Sequence, residues 1–202
     1  MNKGRLFIFS GPSGSGKDTI LKEILQRSPT TMLSISSITR GMRPGEVEGE
    51  KYHFISREEF EDLIKNDELL EYNVFVGNYY GTPKKPVFDA LEKGIDVILE
   101  VDVNGAKKVM EKMPDAISIF MLPPSMAALR RRLINRATDD MPVIEKRLIE
   151  AEREISSADI YDYIFVNDDL SAAVNDMLSI LKSERLRNDR NKHLINEVLN
   201  NA

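Results

Sequence analysis

A parallel α/β sheet flanked by helices is the fold this sequence predicts, and three observations predict it. Short apolar segments recur between helical patterns, a glycine-rich loop joins the first segment to the first helix, and residues 36–86 have a different texture that marks a small inserted mixed α/β subdomain. Residues 5–10, Arg-Leu-Phe-Ile-Phe-Ser, are rich in aromatic and branched side chains and read as a buried strand. A helix at 18–27 follows. Between 36 and 86, Gly, Pro and Tyr punctuate β-like pieces at 52–55 and 72–76. The parallel pattern then resumes, with strands at 96–101, 116–122 and 163–166 and helices at 104–113, 125–136, 142–157 and 170–187. Ser125, and Asp169 or Ser171, stand where an N-cap oxygen can accept from an otherwise unpaired helix N–H. Residues 188–202 continue a polar helical pattern with Leu194, Ile195, Val198 and Leu199 on one face, which predicts packing on the body or on another subunit, a possible homo-oligomer.

The chain of 202 residues, 42% hydrophobic and 30% charged, has the size of one compact domain with small moving parts. Its first apolar run, residues 6–9, ends at Ser10 and is too short for a signal peptide or a membrane span, so a cytoplasmic protein without a membrane partner is expected. No cysteine is present, which excludes disulfides and thiolate metal sites. A net charge of −5 argues against general nucleic-acid affinity, which needs a basic surface, so any phosphate site must be local. His53 and His193 have no companions at metal-ligand spacing, and the nine methionines read as core filler.

Directly after the first strand comes Gly11-Pro12-Ser13-Gly14-Ser15-Gly16-Lys17, then a helix, the setting a P-loop requires. Glycines let the backbone turn its N–H groups onto phosphate oxygens, the helix N-terminus adds partial positive charge, and Lys17 can reach the outer phosphates of a nucleotide. The next position usually holds Ser or Thr for magnesium and here holds Asp18, followed by Thr19. Two readings of Asp18 stay open: a magnesium ligand, direct or through water, or a carboxylate that simply suits the helix N-terminus.

Further along stand Ser36-Ser37-Ile38-Thr39-Arg40-Gly41-Met42-Arg43-Pro44-Gly45-Glu46 and Gly49-Glu50-Lys51-Tyr52-His53-Phe54. Leu70-Glu71-Tyr72, Gly77-Asn78-Tyr79-Tyr80-Gly81-Thr82, residues 99–106, Pro123-Pro124-Ser125, Tyr161-Asp162-Tyr163 and Val166-Asn167-Asp168-Asp169 follow in order. In these runs the sequence resembles the guanylate kinases, over roughly residues 5–187. The resemblance implies a P-loop kinase that moves the γ-phosphoryl group of ATP, with Mg²⁺, onto GMP in purine nucleotide metabolism. It also implies a core of about 1–35, 87–134 and 151–187, a GMP-binding subdomain of about 36–86, a lid of about 135–150 and a C-terminal extension of about 188–202.

The residue chemistry suits those roles. A dianionic acceptor phosphate calls for fixed donors, and Arg40 and Arg43 offer forks while Tyr52 and Tyr80 offer hydroxyls; by resemblance these four hold the GMP phosphate. A carboxylate can accept both protons on one guanine edge, where adenine presents the wrong pattern. Glu71 and Asp102 match the family's base readers, with Ser36 and Thr82 as hydroxyl partners. Phosphoryl transfer draws mainly on positive charge. Arg132, Arg136 and Arg147 resemble lid arginines that fold over the ATP phosphates beside Lys17, and surface ion pairing with Asp139, Asp140 and Glu145 is the competing reading of that basic stretch. Asn167 and Asp168 resemble the loop near the donor adenine, and Glu100, at a strand's carboxyl end, is placed for the outer magnesium shell. Ala137 and Asn104 depart from the family's usual glycine and glutamine. The alternative function is a non-catalytic guanylate-kinase-like module that binds a protein; a kinase for another phosphorylated acceptor is a third reading.

Overall fold

The computed structural model describes residues 3–135 and 140–200. Its main sheet is wholly parallel in the order β2-β7-β1-β8-β9, with β1 (Leu6–Ser10) central between β7 (Asp96–Glu100) and β8 (Ile117–Leu122), and with β2 (Thr31–Leu33) and β9 (Tyr163–Val166) at the edges. Every residue of β1 is buried. Because side chains alternate across a strand, Leu6 and Ile8 enter one core and Phe7 and Phe9 the other. The first core is closed by α3 (Lys84–Glu92) through Val87, Ala90 and Leu91, and by α4 (Val103–Lys112) through Val103, Ala106 and Val109. The second is closed by α1 (Lys17–Arg27) through Ile20, Leu21 and Ile24, and by α7 (Leu170–Arg185) through Ala173, Val174, Met177 and Leu181. The result is the three-layer parallel α/β arrangement the sequence predicts.

The four expected core strands all form, within one residue of their expected ends. The three-residue edge strand β2 was not foreseen, being too short to show a period. Ser125 caps α5 (Met126–Asn135) by accepting from Ala128 N at 3.1 Å, and Asp169 caps α7 from Ala172 N at 2.8 Å. The helix expected at 142–157 is α6 (Met141–Ser156), started by Asp140, whose Oδ1 accepts from Val143 N. The helix expected to reach residue 187 ends at Arg185, and α8 (Asn188–Asn200) follows. Leu194, Ile195, Val198 and Leu199 are exposed, so the apolar face of α8 does not pack on the body. No helix among the described residues is long and apolar enough to cross a membrane.

The segment between β2 and α3 builds a second sheet, ordered β4-β3-β6-β5. It comprises β3 (Ser36–Ile38), β4 (Tyr52–Phe54), β5 (Leu69–Phe75) and β6 (Asn78–Pro83), with α2 (Arg57–Lys65) beside it. Neither α2 nor α3 was expected. For α2 the signal was in the sequence: Ser56 accepts from Glu59 N and Glu59 accepts from Ser56 N, a capping box spelled Ser-x-x-Glu. The β5–β6 hairpin turns through Val76 and Gly77, both at positive φ. Its register shifts between Leu69 and Tyr72, and this irregularity breaks the in-out alternation so that Leu69, Leu70 and Glu71 are all buried. A regular strand would have sent two successive residues to opposite faces.

Candidate active site

The phosphate loop runs from the end of β1 to the start of α1, at the carboxyl edge of the parallel sheet, where open α/β sheets hold ligands. Gly14 and Gly16 have φ of +90° and +102°, and a Cβ on Gly16 would lie 2.6 Å from Asn167 Nδ2, so neither position admits a side chain without strain. Lys17 donates from Nζ to the carbonyls of Gly11 at 2.6 Å and Pro12 at 3.3 Å, and lies 4.0 Å from Glu100 Oε1. Burial pushes its pKa below the ordinary lysine value, against the opposing pull of Glu100. Two groups remote in sequence clasp the loop. Asn167 donates to Ser15 O at 2.8 Å, while Arg132 donates to Ser15 O at 3.0 Å and to Asn167 O at 2.8 Å.

The loop forms one wall of a cavity of about 310 Å³ that also meets Asp18, Ser36, Lys51, Tyr52 and Glu154. Ser13, Thr19 and Asp168 are exposed, Pro12 and Ser15 buried. Arg147 lies on α6, and Arg136 is outside the described residues. Arg130, also on α5, pairs with Glu145 at 2.5 Å, the surface pairing weighed above for this basic stretch.

A second chamber of about 330 Å³ adjoins the first and shares Ser36, Tyr52, Glu100, Val101 and Asp102 with it. It is lined in addition by Arg40, Arg43, Glu71, Asn73, Phe75 and Tyr80. Arg40 forks onto Glu46 at 2.7 and 2.5 Å, lies over the rings of Tyr52 and Phe54, and keeps a buried Nε with no partner among the described residues. Glu46 also accepts from Arg43 N at 2.7 Å, and Arg40 first, then that backbone bond, pulls its carboxyl down to about 2. Burial raises the Tyr52 phenol.

Glu71, 6% exposed, accepts from Thr82 Oγ1 at 2.8 Å, and Thr82 is wholly buried behind it. Burial pushes the Glu71 carboxyl up to about 7, with a further push from Asp102 and a counter-pull from the Thr82 hydroxyl. Asp102 is also the N-cap of α4: its Oδ1 accepts from Gly105 N at 2.7 Å, leaving Oδ2, 3.3 Å from Asn73 Nδ2, toward the chamber. One residue thus serves both the helix and the cleft.

Three side chains were missed as site residues. Lys51 donates to Asp18 Oδ1 at 2.5 Å and lies 3.2 Å from Glu100 Oε2. Burial disfavours its charge, but Glu100 and the bond to Asp18 outweigh this and hold the ammonium above the ordinary lysine range. Glu154 of α6 faces Lys17 across the first cavity, its carboxyl pushed up to about 7 by burial. Glu46 closes the run at residues 36–46, but nothing local in the sequence assigns it to Arg40. Glu154 carries no sequence signal, since it follows an ordinary amphipathic helix pattern. Among the described residues no group of three or more His, Asp or Glu side chains is gathered for a metal.

A parallel sheet with a glycine loop opening its first helix, and a second sheet facing that loop, defines a P-loop phosphate-binding α/β protein. A family model described as guanylate kinase matches residues 3–184. The guanylate kinase of Carboxydothermus hydrogenoformans is 50% identical over 190 residues, covering 94% of this chain and 93% of that one. That of Aliivibrio fischeri is 49% identical over 192 residues, with 94% and 93% covered. The crystal structure of guanylate kinase from Anaplasma phagocytophilum superposes with a TM-score of 0.76 at 36% identity, covering 94% of this chain and 90% of that one. The chain belongs to the guanylate kinase family.

Proposed function

We propose that the protein is an ATP:GMP phosphotransferase of the cytoplasm, with the donor in the first chamber and the acceptor in the second. The shared wall of the two chambers carries this reading, because a phosphoryl group can pass directly between nucleotides only if their phosphates meet. Lys17 and the loop N–H groups take the donor phosphates. Arg40, Arg43, Tyr52 and Tyr80, which all line the second chamber, take the acceptor phosphate. Glu71, with Thr82 behind it, and Asp102 with Ser36 read the guanine edge. Residues 36–86 act as the GMP-binding subdomain and 135–150 as the lid, which excludes water; Arg136 and Arg147 of the lid, with Arg132 just before it, add positive charge to the transferring group. Asn167 and Asp168 lie near the donor base. No general base is required of the protein.

The residues present fit Mg²⁺: Asp18 and Glu100 both reach the Lys51 ammonium, so a cation can lie between them, and they offer only oxygen donors. Mg²⁺ bound this way relies on one or two carboxylates plus substrate phosphates, and supplies neutralisation of the donor's charge. ADP release from Mg-ATP with GMP, AMP, UMP, CMP or no acceptor tests the assignment, and rapid release with GMP alone is the expected result. Activity with all purine monophosphates would refute the base-reading roles.

Glu46 positions Arg40 rather than touching substrate. Glu46→Gln is expected to raise KM for GMP by roughly tenfold while kcat changes little, since the lost contact orients a ground-state binding fork. Initial rates at varied GMP measure this.

A further inference from the structure

Asp18 is an anomaly in a phosphate loop, because a carboxylate beside phosphates repels them unless a cation intervenes. The cation in this structure belongs to the chain itself. Lys51 stands in the turn before β4, in the inserted sheet's segment, while Asp18 lies in α1 and Glu100 ends β7. Its ammonium bridges the two carboxylates at 2.5 and 3.2 Å and is half-buried in the cavity that the phosphate loop lines. Asp18 and Lys51 are 33 residues apart, and Lys51 directly precedes Tyr52 of the acceptor chamber.

We propose that Lys51 is the place-holding cation of this phosphate site. While no divalent ion is bound, its ammonium neutralises Asp18 and Glu100 and ties the inserted sheet to the phosphate loop; the divalent ion and Lys51 then compete for the same two carboxylates. This makes Lys51 a positioning residue that acts through Asp18 and Glu100. It also explains how a carboxylate is accommodated where a hydroxyl is usual: the charge arrives with its own counter-charge. The inference rests on the reading that these two carboxylates face the Mg²⁺ site.

The test is thermal melting of the nucleotide-free protein, stripped with chelator and then given millimolar MgCl₂ or NaCl of matched ionic strength. Lys51→Met keeps the aliphatic stem and removes the ammonium that bridges Asp18 and Glu100, so the two carboxylates face each other with one cation fewer, Lys17 remaining 4.0 Å from Glu100. It is expected to melt roughly 2–4 °C below the parent in chelator and to regain that loss with MgCl₂ but not NaCl, while the parent barely responds to either. Lys51→Arg should behave as the parent, and Lys51→Gln should repeat the Lys51→Met result. In an Asp18→Ser background, Lys51→Met should lose most of its deficit and its response to MgCl₂, which a merely structural lysine would not do. Equal MgCl₂ responses in parent and Lys51→Met, or a deficit unchanged by Asp18→Ser, would overturn the proposal. Magnesium-dependent turnover of GMP by the parent, measured separately, tests the kinase reading and stands whichever way the melts fall.

Discussion

Glu71→Gln is expected to lose most of the activity on GMP and, at the same time, to make the protein more stable at alkaline pH. Burial pushes the carboxyl up to about 7 in the folded protein from its ordinary 4.5, so between those values the folded state holds a proton that the unfolded state has released. Stability therefore falls as pH rises through that window, is unaffected below it, and reaches its full deficit above about 7. At about 1.4 kcal/mol per pH unit the deficit approaches about 3 kcal/mol. Glutamine keeps the acceptor for Thr82 and never ionises, so the variant should outlast the parent in thermal melts at pH 8 and match it near pH 4.

Its catalytic loss has the opposite sign. An ionised Glu71 can accept two protons from guanine, whereas the glutamine amide presents a donor where an acceptor is needed. Two charge-assisted bonds at about 1.5–3 kcal/mol each put the fall in kcat/KM for GMP at roughly 10²–10⁴-fold. The parent's KM for GMP should also fall as pH rises through about 7, as Glu71 ionises, and the variant's should lack that dependence. Steady-state kinetics with GMP and AMP from pH 6 to 8 measure both effects. If activities on GMP and AMP dropped in parallel, Glu71 would be structural rather than a base reader.

Lys17→Met should abolish phosphoryl transfer while leaving the fold intact. Lys17 donates to the carbonyls of Gly11 and Pro12 and lies 4.0 Å from Glu100, which retains Lys51 when Lys17 is removed, while Glu154, its carboxyl already pushed up to about 7 by burial, can hold a proton instead of facing the ammonium. The charge it brings to the transferring group cannot be replaced by solvent in a closed site, and kcat is expected to fall by about 10³-fold or more. Unchanged circular dichroism and melting beside that loss would place the effect in the chemistry. Retention of activity within about tenfold would shift the work to the lid arginines.

Much of this was legible before any coordinates. Runs such as Leu6-Phe7-Ile8-Phe9 can be little other than buried strand, and Gly14 and Gly16 ahead of Lys17 can be little other than a phosphate loop, because the conformations required are local and few residues adopt them. The family's linear runs likewise pointed to Arg40, Tyr52, Glu71, Tyr80 and Asp102, and the structure brings these to one chamber. The omissions have different causes. The helix α2 was announced by its capping box and overlooked; β2 was too short for any periodicity, and α3 has no side-chain cap to announce its start.

What the sequence determined by itself is the set of local conformations, the parallel α/β class and the family. Those follow from side-chain periodicity, from glycine's access to positive φ and from motifs that are contiguous along the chain. What only the tertiary structure decided is which charges meet: Lys51 with Asp18 and Glu100, Glu154 with Lys17, Arg132 with the carbonyl of Ser15, and Glu71 turned inward by an irregularity in β5. Each of those pairs joins separate elements or depends on one residue's shift in register. Coulombic interaction acts through space, and no spacing along the chain records it until the sheets are assembled.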